Sequence, residues 1–424
     1  MIKIYKNIYV WDSSCEKASL CDVKVKDGKF EEITPAGNMS SKCAFDGKCH
    51  TALIPGFVNA HGHSPMGLLR GFGEDAPLME WLQKKIWPRE DKLNAEDMYN
   101  GTRLAIAEMI STGTTCFADM YFFMNQVAKA CEESGIRANL SRCIMGDQIE
   151  TDTKITENIE LAAQYNKQDG LIRTSLGPHA TYTVPFEAMK KVAQVAKKYN
   201  FPVQLHWLEA SNEWEISNHP EGMTPEDYLD ETGLCDVQHL LLAHCVHINE
   251  DAYKFYARTN LTIAHNPKSN LKLGNGIAPI DAYRKTGVSV AIGTDGSSSN
   301  NRLDMWEELR FAALLQKGKD PTAMPIKNLF EMATSNGARA LGFEKLGLIK
   351  EGYKADFILI DLDKPHYLGV TEENLHEFLA YAGSSSDIRA TVVAGQTLYQ
   401  DGIFTTFNIA EVMAKAKETR KKIL

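Results

Sequence analysis

Hydrophobic and polar positions follow a period of two near both ends of the chain. Residues 1–12 are MIKIYKNIYVWD and residues 21–33 are CDVKVKDGKFEEI, and the same alternation returns in ADFILIDLD (355–363) and IRATVVAGQTLYQDG (388–402). This alternation is typical of strands with one buried face, and Lys-Asp-Gly at 26–28 predicts a hairpin turn. Neither end has enough strands for a stable sheet of its own. We therefore predict that both ends together form one small β-sandwich.

Between the ends, apolar runs alternate with amphipathic stretches of helical period. Helices are predicted over residues 95–113, 185–200 and 248–260, among others. Eight strand and helix units over roughly 300 residues predict an α/β fold, a (β/α)8 TIM barrel. We expect residues 1–52 and 350–424 to form the β-sandwich, with a helix at the C-terminus, and residues 53–349 to form the barrel. The eight runs are ALIPGFVNAH, GTTCFADM, IRANLSRCIMG, LIRTSLGPH, FPVQLHW, HLLLAHC, NLTIAHNP and VSVAIGTDG.

The composition narrows the class of protein. The 424 residues carry a formal net charge of -9 and are 44% hydrophobic, a balance typical of a globular protein and unfavourable for binding nucleic acid or an anionic membrane. The nine cysteines include no CxxC pair, and their odd number and irregular spacing do not fit a disulfide framework. The first residues lack the apolar core of a signal peptide, and no apolar stretch is long enough to span a membrane. We therefore expect a soluble cytoplasmic protein.

Polar residues with catalytic or metal-binding chemistry occur at the ends of all eight runs. In a barrel these ends meet on one face, where enzymes of this fold build their active sites. A single histidine on an apolar strand is more often a hydrogen-bonded core residue, but eight such coincidences are hard to explain by packing. In the order of the runs, the residues are His61 with His63, Asp119, Arg142, His179, His206, His244, His265 and Asp295.

His61 and His63 are separated by a single glycine. Side chains two apart on a strand point to the same face, as chelation of one ion by two imidazoles requires. An HxH pair is not specific by itself, but it indicates a metal site when His206 and Asp295 follow at the ends of the fifth and eighth strands. Imidazole nitrogen and carboxylate oxygen without thiolate suit Zn²⁺, and Fe²⁺ is the alternative.

Motifs spread over almost the whole chain resemble those of the amidohydrolase superfamily, and within it the aminohydrolases that deaminate purines and related heterocycles. The resemblance is greatest to the 5-methylthioadenosine/S-adenosylhomocysteine deaminases. It implies a barrel with a split end domain, and hydrolytic replacement of an exocyclic amino group of an adenosine derivative by oxygen, with release of ammonia. The motifs are PGFVNAHGHSPMGLLRG (55–71), LHWLE (205–209), LAHCVH (242–247), AHNPKSNLKLGNG (264–276), GTDGSSSNNRLDMWEELR (293–310) and GYKADFILIDLD (352–363).

The resemblance implies one divalent metal ion per chain, with a water molecule as its remaining ligand. The protein ligands would be His61, His63, His206 and Asp295. The fourth strand ends in SLGPHATY, without a lysine that could bridge two metal ions. This departure from the two-metal relatives favours a mononuclear site.

The resemblance also implies three residues that act in proton transfer and contact the substrate or its adduct. Glu209 would protonate the ring nitrogen beside the attacked carbon and so make that carbon more electrophilic. Asp295 would accept a proton from the water and pass it toward the leaving amine. His244 would orient the water and stabilise the tetrahedral adduct. His247 is close in sequence, and only the match of AHCVH selects His244 over it.

Further residues match substrate-binding positions of these deaminases. Glu90 would accept hydrogen bonds from ribose hydroxyls, and His179 would contact the purine or the ribose. Arg142 would bind the carboxylate of S-adenosylhomocysteine, because its planar fork can donate two parallel hydrogen bonds. In the following loop the nearest basic residue is Lys154, which offers a point charge without a fork. Smaller 5′-substituted adenosines, such as 5-methylthioadenosine and 5′-deoxyadenosine, are therefore also candidate substrates.

Several alternatives remain at this level. Trp81 and Trp87 could form an apolar wall for the sulfur-bearing group, although tryptophans at helical spacing are more often packing residues. A guanine deaminase or a triazine hydrolase is the alternative within the same branch, and Glu90 argues against both because neither substrate carries a ribose. A metal-free scaffold protein on the same fold is the alternative of a different class, and the retention of all four ligand types argues against it. A homo-oligomer is expected by analogy.

Overall fold

The computed structural model describes residues 2–40, 42–318 and 320–424. Its strands belong to an end sheet and to a central barrel. In chain order they are β1 (Ile2–Val10), β2 (Ser19–Lys26), β3 (Lys29–Pro35), β4 (Phe45–Asp46), β5 (Thr51–Pro55), β6 (Phe57–Asn59), β7 (Thr114–Tyr121), β8 (Arg137–Ile144), β9 (Ile172–Thr174), β10 (Gly177–Pro178), β11 (Val203–Trp207), β12 (Leu240–His244), β13 (Leu261–His265), β14 (Ser289–Ile292), β15 (Phe357–Asp361), β16 (Ile388–Val393), β17 (Gln396–Gln400) and β18 (Ile403–Phe404).

The barrel has eight parallel strand positions, of which β9 and β10 share the fourth. Strands β6 to β10 form one parallel group and β11 to β14 form another. Backbone hydrogen bonds join the two groups on both sides: the Gln204 amide donates to Leu176 at 3.0 Å, and the Ala60 amide donates to Ile292 at 2.9 Å. All eight apolar runs contain these strands, and the predicted (β/α)8 barrel is confirmed.

The end sheet combines strands from both ends of the chain, as the alternating patterns predict. Its order is β18-β17-β16-β15-β5-β1-β2-β3, and β4 pairs with β1. The β2–β3 hairpin turns at Asp27 and Gly28, whose φ angles of 50° and 77° are both positive, as a two-residue hairpin turn requires. Tyr5, Phe30 and Phe357 lie in the apolar core of this sheet.

The chain passes from the end sheet to the barrel at Gly56. β5 pairs with β15 in the end sheet, whereas β6 pairs with β7 in the barrel. A Cβ atom on Gly56 would lie 2.2 Å from the Thr115 side chain, so a larger residue cannot take this position without displacing its neighbour. The predicted domain boundary between residues 52 and 53 therefore falls inside β5, because one continuous apolar run supplies both strands.

Helices cover the outside of the barrel and one side of the end sheet. None of those in the described ranges combines the length and the apolar character needed to cross a bilayer. In chain order they are α1 (Leu78–Glu80), α2 (Trp87–Glu90), α3 (Ala95–Ser111), α4 (Met124–Ser134), α5 (Gln148–Tyr165), α6 (Phe186–Tyr199), α7 (Glu213–Ile216), α8 (Pro225–Thr232), α9 (Tyr253–Tyr256), α10 (Pro267–Lys272), α11 (Ile280–Lys285), α12 (Met305–Lys317), α13 (Ile326–Ala333), α14 (Ser335–Ala340), α15 (Leu375–Tyr381) and α16 (Ile409–Arg420).

The predicted helices differ in how far they extend. Two of them form as α3 and α6, and the C-terminal helix forms as α16. The candidate over residues 248–260 gives only one 3-10 turn and the four-residue helix α9. Its end is held in another geometry, because the Asn260 side chain donates to the carbonyl oxygens of Cys235 and Val237, both at 2.9 Å.

Candidate active site

Three histidines and one aspartate meet at the carboxyl ends of the barrel strands. His61 and His63 follow β6, His206 lies in β11 and Asp295 follows β14. The Nε2 atom of His63 lies 3.3 Å from Nε2 of His206 and 3.2 Å from Oδ1 of Asp295, and Nε2 of His61 lies 3.7 Å from the same oxygen. The predicted ligand set is therefore brought together, although it is drawn from strands far apart in sequence.

Hydrogen bonds on the outer side of two rings turn their Nε2 atoms toward one another. Nδ1 of His63 lies 2.8 Å from the Met120 carbonyl oxygen, and Nδ1 of His206 lies 2.8 Å from that of His179. A carbonyl oxygen only accepts, so each Nδ1 carries the hydrogen and each neutral ring has a lone pair on Nε2. Two lone pairs that face each other at 3.3 Å repel. A metal cation between them removes this repulsion, as does a proton on His63, whose pKa, against the lowering effect of burial, the neighbouring Asp295 raises to about 9.

Burial favours the neutral form of the other two histidines of the cluster. It lowers the pKa of His61 and of His206, and neighbouring histidines lower both further. Neutral imidazoles are the form that metal ligation requires. Nε2 of His61 is buried and has no hydrogen-bond partner among the described residues, as expected for a group whose partner is an ion. The donor set therefore fits a divalent cation.

Asp295 is held by several neighbours in an unusual backbone conformation. Its Oδ2 accepts hydrogen bonds from Ser269 at 2.5 Å and Ser299 at 3.0 Å, and its Oδ1 accepts one from the Gly296 amide at 2.8 Å. The φ of Asp295 is +61°, and that of His244 is +75°. Both angles lie in the left-handed region, which costs non-glycine residues energy and occurs often at functional sites.

Glu209 and His244 lie beside the histidine cluster and are almost completely buried. Oε1 of Glu209 accepts a hydrogen bond from the Asn275 amide at 2.8 Å and lies 3.7 Å from Nδ1 of His244. Burial, followed by the charges of Asp295 and Glu213, raises the pKa of Glu209 well above its ordinary value. A protonated carboxyl in this position can act as a general acid.

The geometry also separates His244 from its sequence neighbour His247. Nδ1 of His244 lies 2.8 Å from the Asn270 side-chain oxygen, and its Nε2 is buried without a partner among the described residues. His247 is exposed, and its Nε2 bonds the Asn275 carbonyl at 2.8 Å. Only His244 faces the cavity described next.

A cavity opens next to the cluster. Glu90 lies in its wall, where the Tyr121 hydroxyl donates a hydrogen bond to the Glu90 carboxyl group and burial raises the pKa of Glu90 to about 7. Burial, followed by the charge of His63, lowers the pKa of His179 to about 3. The cavity is lined by His63, Met66, Leu78, Trp81, Leu82, Trp87, Glu90, Met120, Tyr121, Phe122, Cys143, Met145, His179, Tyr182, His206, Glu209, His244, Leu273 and Asp295.

Four of the polar residues at strand ends do not line this cavity, and one of them, His61, belongs to the histidine cluster. Asp119 accepts hydrogen bonds from the backbone amide and the hydroxyl of Ser64, and so holds the segment that follows His63. His265 is buried without a hydrogen-bond partner among the described residues. Arg142 lines a second cavity, on the side of α5, because strand side chains alternate and the adjacent Cys143 faces the first cavity.

Several residues that orient the site were not predicted individually. Ser269, Asn270 and Asn275 lie in the quoted motif AHNPKSNLKLGNG, but the sequence does not indicate which site residue each one contacts. Tyr121, which bonds Glu90, ends the strand that carries Asp119. The spacing offers one indication that Tyr121 is near the site: it lies two residues after Asp119 and therefore on the same face of β7.

Comparisons with known proteins agree with this geometry. Residues 52–398 match the model of the amidohydrolase family. The chain belongs to the amidohydrolase family. The 5-methylthioadenosine/S-adenosylhomocysteine deaminase of Dictyoglomus thermophilum is 44% identical over 88% of this chain and 87% of its own length. The enzyme of the same name from Halothermothrix orenii is 41% identical, over 100% of this chain and 99% of its own.

A solved structure with a similar fold extends the comparison. The crystal structure of an adenosine deaminase from Xanthomonas campestris, which contains bound zinc, has a TM-score of 0.92 and 33% sequence identity, and the match covers 99% of this chain and 98% of the other. Family membership, the zinc of this relative and the buried cluster of histidines with Asp295 together support a divalent metal site.

Proposed function

We propose that the protein catalyses the hydrolytic deamination of adenosine derivatives, with 5-methylthioadenosine and S-adenosylhomocysteine as the substrate class. Water adds to the carbon that carries the exocyclic amino group, the bond from that carbon to nitrogen breaks, and the inosine derivative and ammonia leave. The observation that carries the proposal is one cavity that contains the His63–His206–Asp295 cluster at one place and the buried carboxyl group of Glu90 at another. The names of the relatives agree with it.

The metal we propose is one Zn²⁺ per chain, held by His61, His63, His206 and Asp295. Nitrogen and oxygen donors without thiolate suit Zn²⁺, with Fe²⁺ as the alternative. When bound, the ion supplies Lewis-acid activation of water. The serines bonded to Asp295 and the carbonyl oxygens bonded to two of the imidazoles hold the donor atoms in position, as outer partners of metal ligands do.

Glu209 supplies the proton in this mechanism. Its protonated carboxyl donates to the purine ring nitrogen beside the attacked carbon, which makes that carbon more electrophilic. The Asn275 amide donates to Oε1 of Glu209, so the hydrogen resides on the other oxygen and is available to the substrate. General acid catalysis of this kind contributes about 10²- to 10⁴-fold to a rate.

Asp295 and His244 complete the proton transfers. Asp295 accepts one proton from the attacking water and delivers it to the leaving amino group, and Glu209 regains its proton from the adduct hydroxyl as the carbonyl forms. Nε2 of His244 is buried and has no partner among the described residues. With Nδ1–H bonded to Asn270, the ring stabilises the negative charge on the adduct oxygen once it is protonated and Nε2 also carries a hydrogen. A preorganised partner in a water-poor cavity stabilises that charge better than solvent does.

Glu90 recognises the ribose in this proposal. A carboxyl oxygen accepts hydrogen bonds from the vicinal hydroxyl groups of a nucleoside, and a buried hydrogen bond to a charged group contributes about 1.5–3 kcal/mol. Trp81 and Trp87 lie in the same wall and provide apolar surface. Glu90 argues against a guanine deaminase or a triazine hydrolase, because neither substrate carries a ribose that this carboxyl group could bind.

A panel of substrates tests the proposal. Ammonia release and kcat/KM are measured for 5-methylthioadenosine, S-adenosylhomocysteine, adenosine, guanine and a triazine, with the metal content measured on the same preparation. We expect about one metal ion per chain and the highest kcat/KM for an adenosine derivative. Faster turnover of guanine than of any nucleoside would overturn the substrate assignment, and a metal-free, inactive protein would favour the scaffold alternative.

We also propose a cytoplasmic location and a homo-oligomeric state, with neither nucleic acid nor membrane as a partner. All nine cysteines are free thiols, which agrees with a reducing compartment. Sedimentation at several protein concentrations tests the oligomeric state, and a monomer at all of them would contradict it.

A further inference from the structure

Much of the cavity wall is apolar. None of the described residues that line the cavity is a lysine or an arginine. The apolar lining residues are Met66, Leu78, Trp81, Leu82, Trp87, Met120, Phe122, Cys143, Met145 and Leu273. An alkyl or methylthio group gains free energy when it is buried against such a wall. A zwitterionic amino-acid tail loses hydration there, and its carboxylate finds no cationic partner.

Two cationic side chains, Arg142 and Lys154, lie outside this wall. Both are already hydrogen-bonded to other groups of the protein. Nε of Arg142 donates to the Glu157 carboxylate at 2.5 Å, and Nη1 donates to the Cys143 carbonyl oxygen at 2.7 Å. The Lys154 ammonium donates to the Met145 carbonyl oxygen. Neither side chain is among those that line the first cavity.

Phe122 is shared by the substrate cavity and the cavity that contains Arg142. It lines both cavities, whereas Arg142 and Glu157 line only the second one. The Arg142 guanidinium carbon lies 5.3 Å from the centre of the Phe122 ring. A guanidinium released from Glu157 is therefore near a ring that forms part of the first cavity's wall, and a change of the Arg142 rotamer presents its N–H groups to a carboxylate there.

We propose that Glu157 is a specificity-determining residue that makes the enzyme prefer uncharged 5′ substituents over the amino-acid tail of S-adenosylhomocysteine. Glu157 holds Arg142 on the α5 side of β8 and neutralises it, so the tail carboxylate has no partner. The proposal rests on the proposed function and divides its substrate class. It is supported by the lining of the two cavities and by the Arg142–Glu157 ion pair. Glu157 itself has no role in the proposed deamination steps.

The wild-type protein provides a first test through two substrates of equal chain length. 5′-n-Butylthioadenosine has the four-carbon chain of S-adenosylhomocysteine without its carboxylate and ammonium groups. We expect kcat/KM for the butyl compound and for 5-methylthioadenosine to exceed that for S-adenosylhomocysteine by about tenfold or more, since one unpaired buried charge costs at least that much. A preference for S-adenosylhomocysteine over the butyl compound would overturn the inference.

Glu157→Gln provides the second test. The change releases Arg142, so kcat/KM for S-adenosylhomocysteine should rise by up to about fivefold, the limit expected for a partly exposed ion pair, while that for 5-methylthioadenosine stays within about twofold. Glu160→Gln is the matched control, because Glu160 lies on the same helix and lines the same second cavity. It removes the same charge and should change neither value.

A double variant separates release of Arg142 from a general change in charge. In Glu157→Gln combined with Arg142→Met, the gain for S-adenosylhomocysteine should disappear. A gain that persists in the double variant, or a fall in S-adenosylhomocysteine turnover in Glu157→Gln, would overturn the inference, and the fall would place Glu157 against the ammonium group of the tail. The proposed function survives either result. It fails, together with this inference, if none of the three nucleosides is deaminated.

Discussion

The Glu209→Gln variant tests the proposed proton donor most directly. Glutamine keeps the shape of the side chain, and its amide oxygen can still accept the hydrogen bond from Asn275, which measures 2.8 Å in the structure. The change removes only the transferable proton. We therefore expect kcat to fall by about 10²- to 10⁴-fold, which is about 3–5 kcal/mol of activation free energy, with KM within about threefold of the wild-type value.

The assay needs two readouts and one control. Ammonia release from 5-methylthioadenosine gives kcat and KM, and elemental analysis gives the metal content, which should match the wild type because Glu209 is not one of the proposed ligands. Glu215→Gln is the control, because Glu215 is exposed in the same segment and its loss should change nothing. A metal-loaded Glu209→Gln variant with activity within tenfold of wild type would remove Glu209 from proton transfer.

The pH dependence provides a second test of the same role. Burial raises the pKa of Glu209 above its ordinary value, so the folded protein keeps the carboxyl protonated over a wider pH range than a solvated glutamate. A proton donor acts below its pKa, and kcat/KM should therefore fall as the pH rises through the raised pKa. The fall belongs to Glu209 if it is absent from the residual activity of Glu209→Gln, and an unchanged profile in the variant would refute this assignment.

Three further changes test other parts of the site and fold. Glu90→Gln should raise KM about tenfold for 5-methylthioadenosine and leave that for its 2′,3′-dideoxy analogue unchanged, since only the former offers vicinal hydroxyls; equal effects on both would contradict ribose recognition. Asn270→Ala should lower kcat about tenfold with little change in KM, because His244 loses the partner of its Nδ1; a change confined to KM would contradict a positioning role. Arg137→Met should lower the free energy of unfolding in urea by about 3–5 kcal/mol, because the buried Asp356 carboxylate loses two hydrogen bonds; an unchanged urea midpoint would show that the pair is dispensable.

The barrel was predictable from the sequence because burial of its strands and the placement of its functional side chains each produce a recognisable sequence pattern. A barrel strand is buried on both faces, which gives an apolar run, and the functional side chains must stand at its carboxyl end, which gives a polar residue just after the run. His206 and His244 show both patterns, because each is a polar residue at the end of an apolar run. The change from the end sheet to the barrel between β5 and β6 produces neither pattern, because the apolar run continues through Gly56.

The environment of Arg142 was not predictable in the same way. The resemblance selects this arginine as a carboxylate ligand, but its direction depends on the strand alternation around Cys143, and its partner Glu157 lies on α5, 15 residues further along the chain. An ion pair between a strand and the following helix depends on how the two elements pack, which composition and periodicity do not specify. The resemblance therefore locates the residue, and the packing decides whether the substrate can reach it.

A single segment after β13 orients side chains that come from three different strands. Ser269 bonds Asp295, Asn270 lies 2.8 Å from His244, and Asn275 donates to Glu209. The proposed acid, base and adduct-stabilising group thus share one support, although they lie at the ends of β11, β12 and β14 in the barrel. Because a displacement of this segment moves all three groups at once, substitutions within it should be strongly non-additive with substitutions of the groups themselves. The motif AHNPKSNLKLGNG therefore supports the side chains of the proposed active site from outside, in addition to connecting two strands.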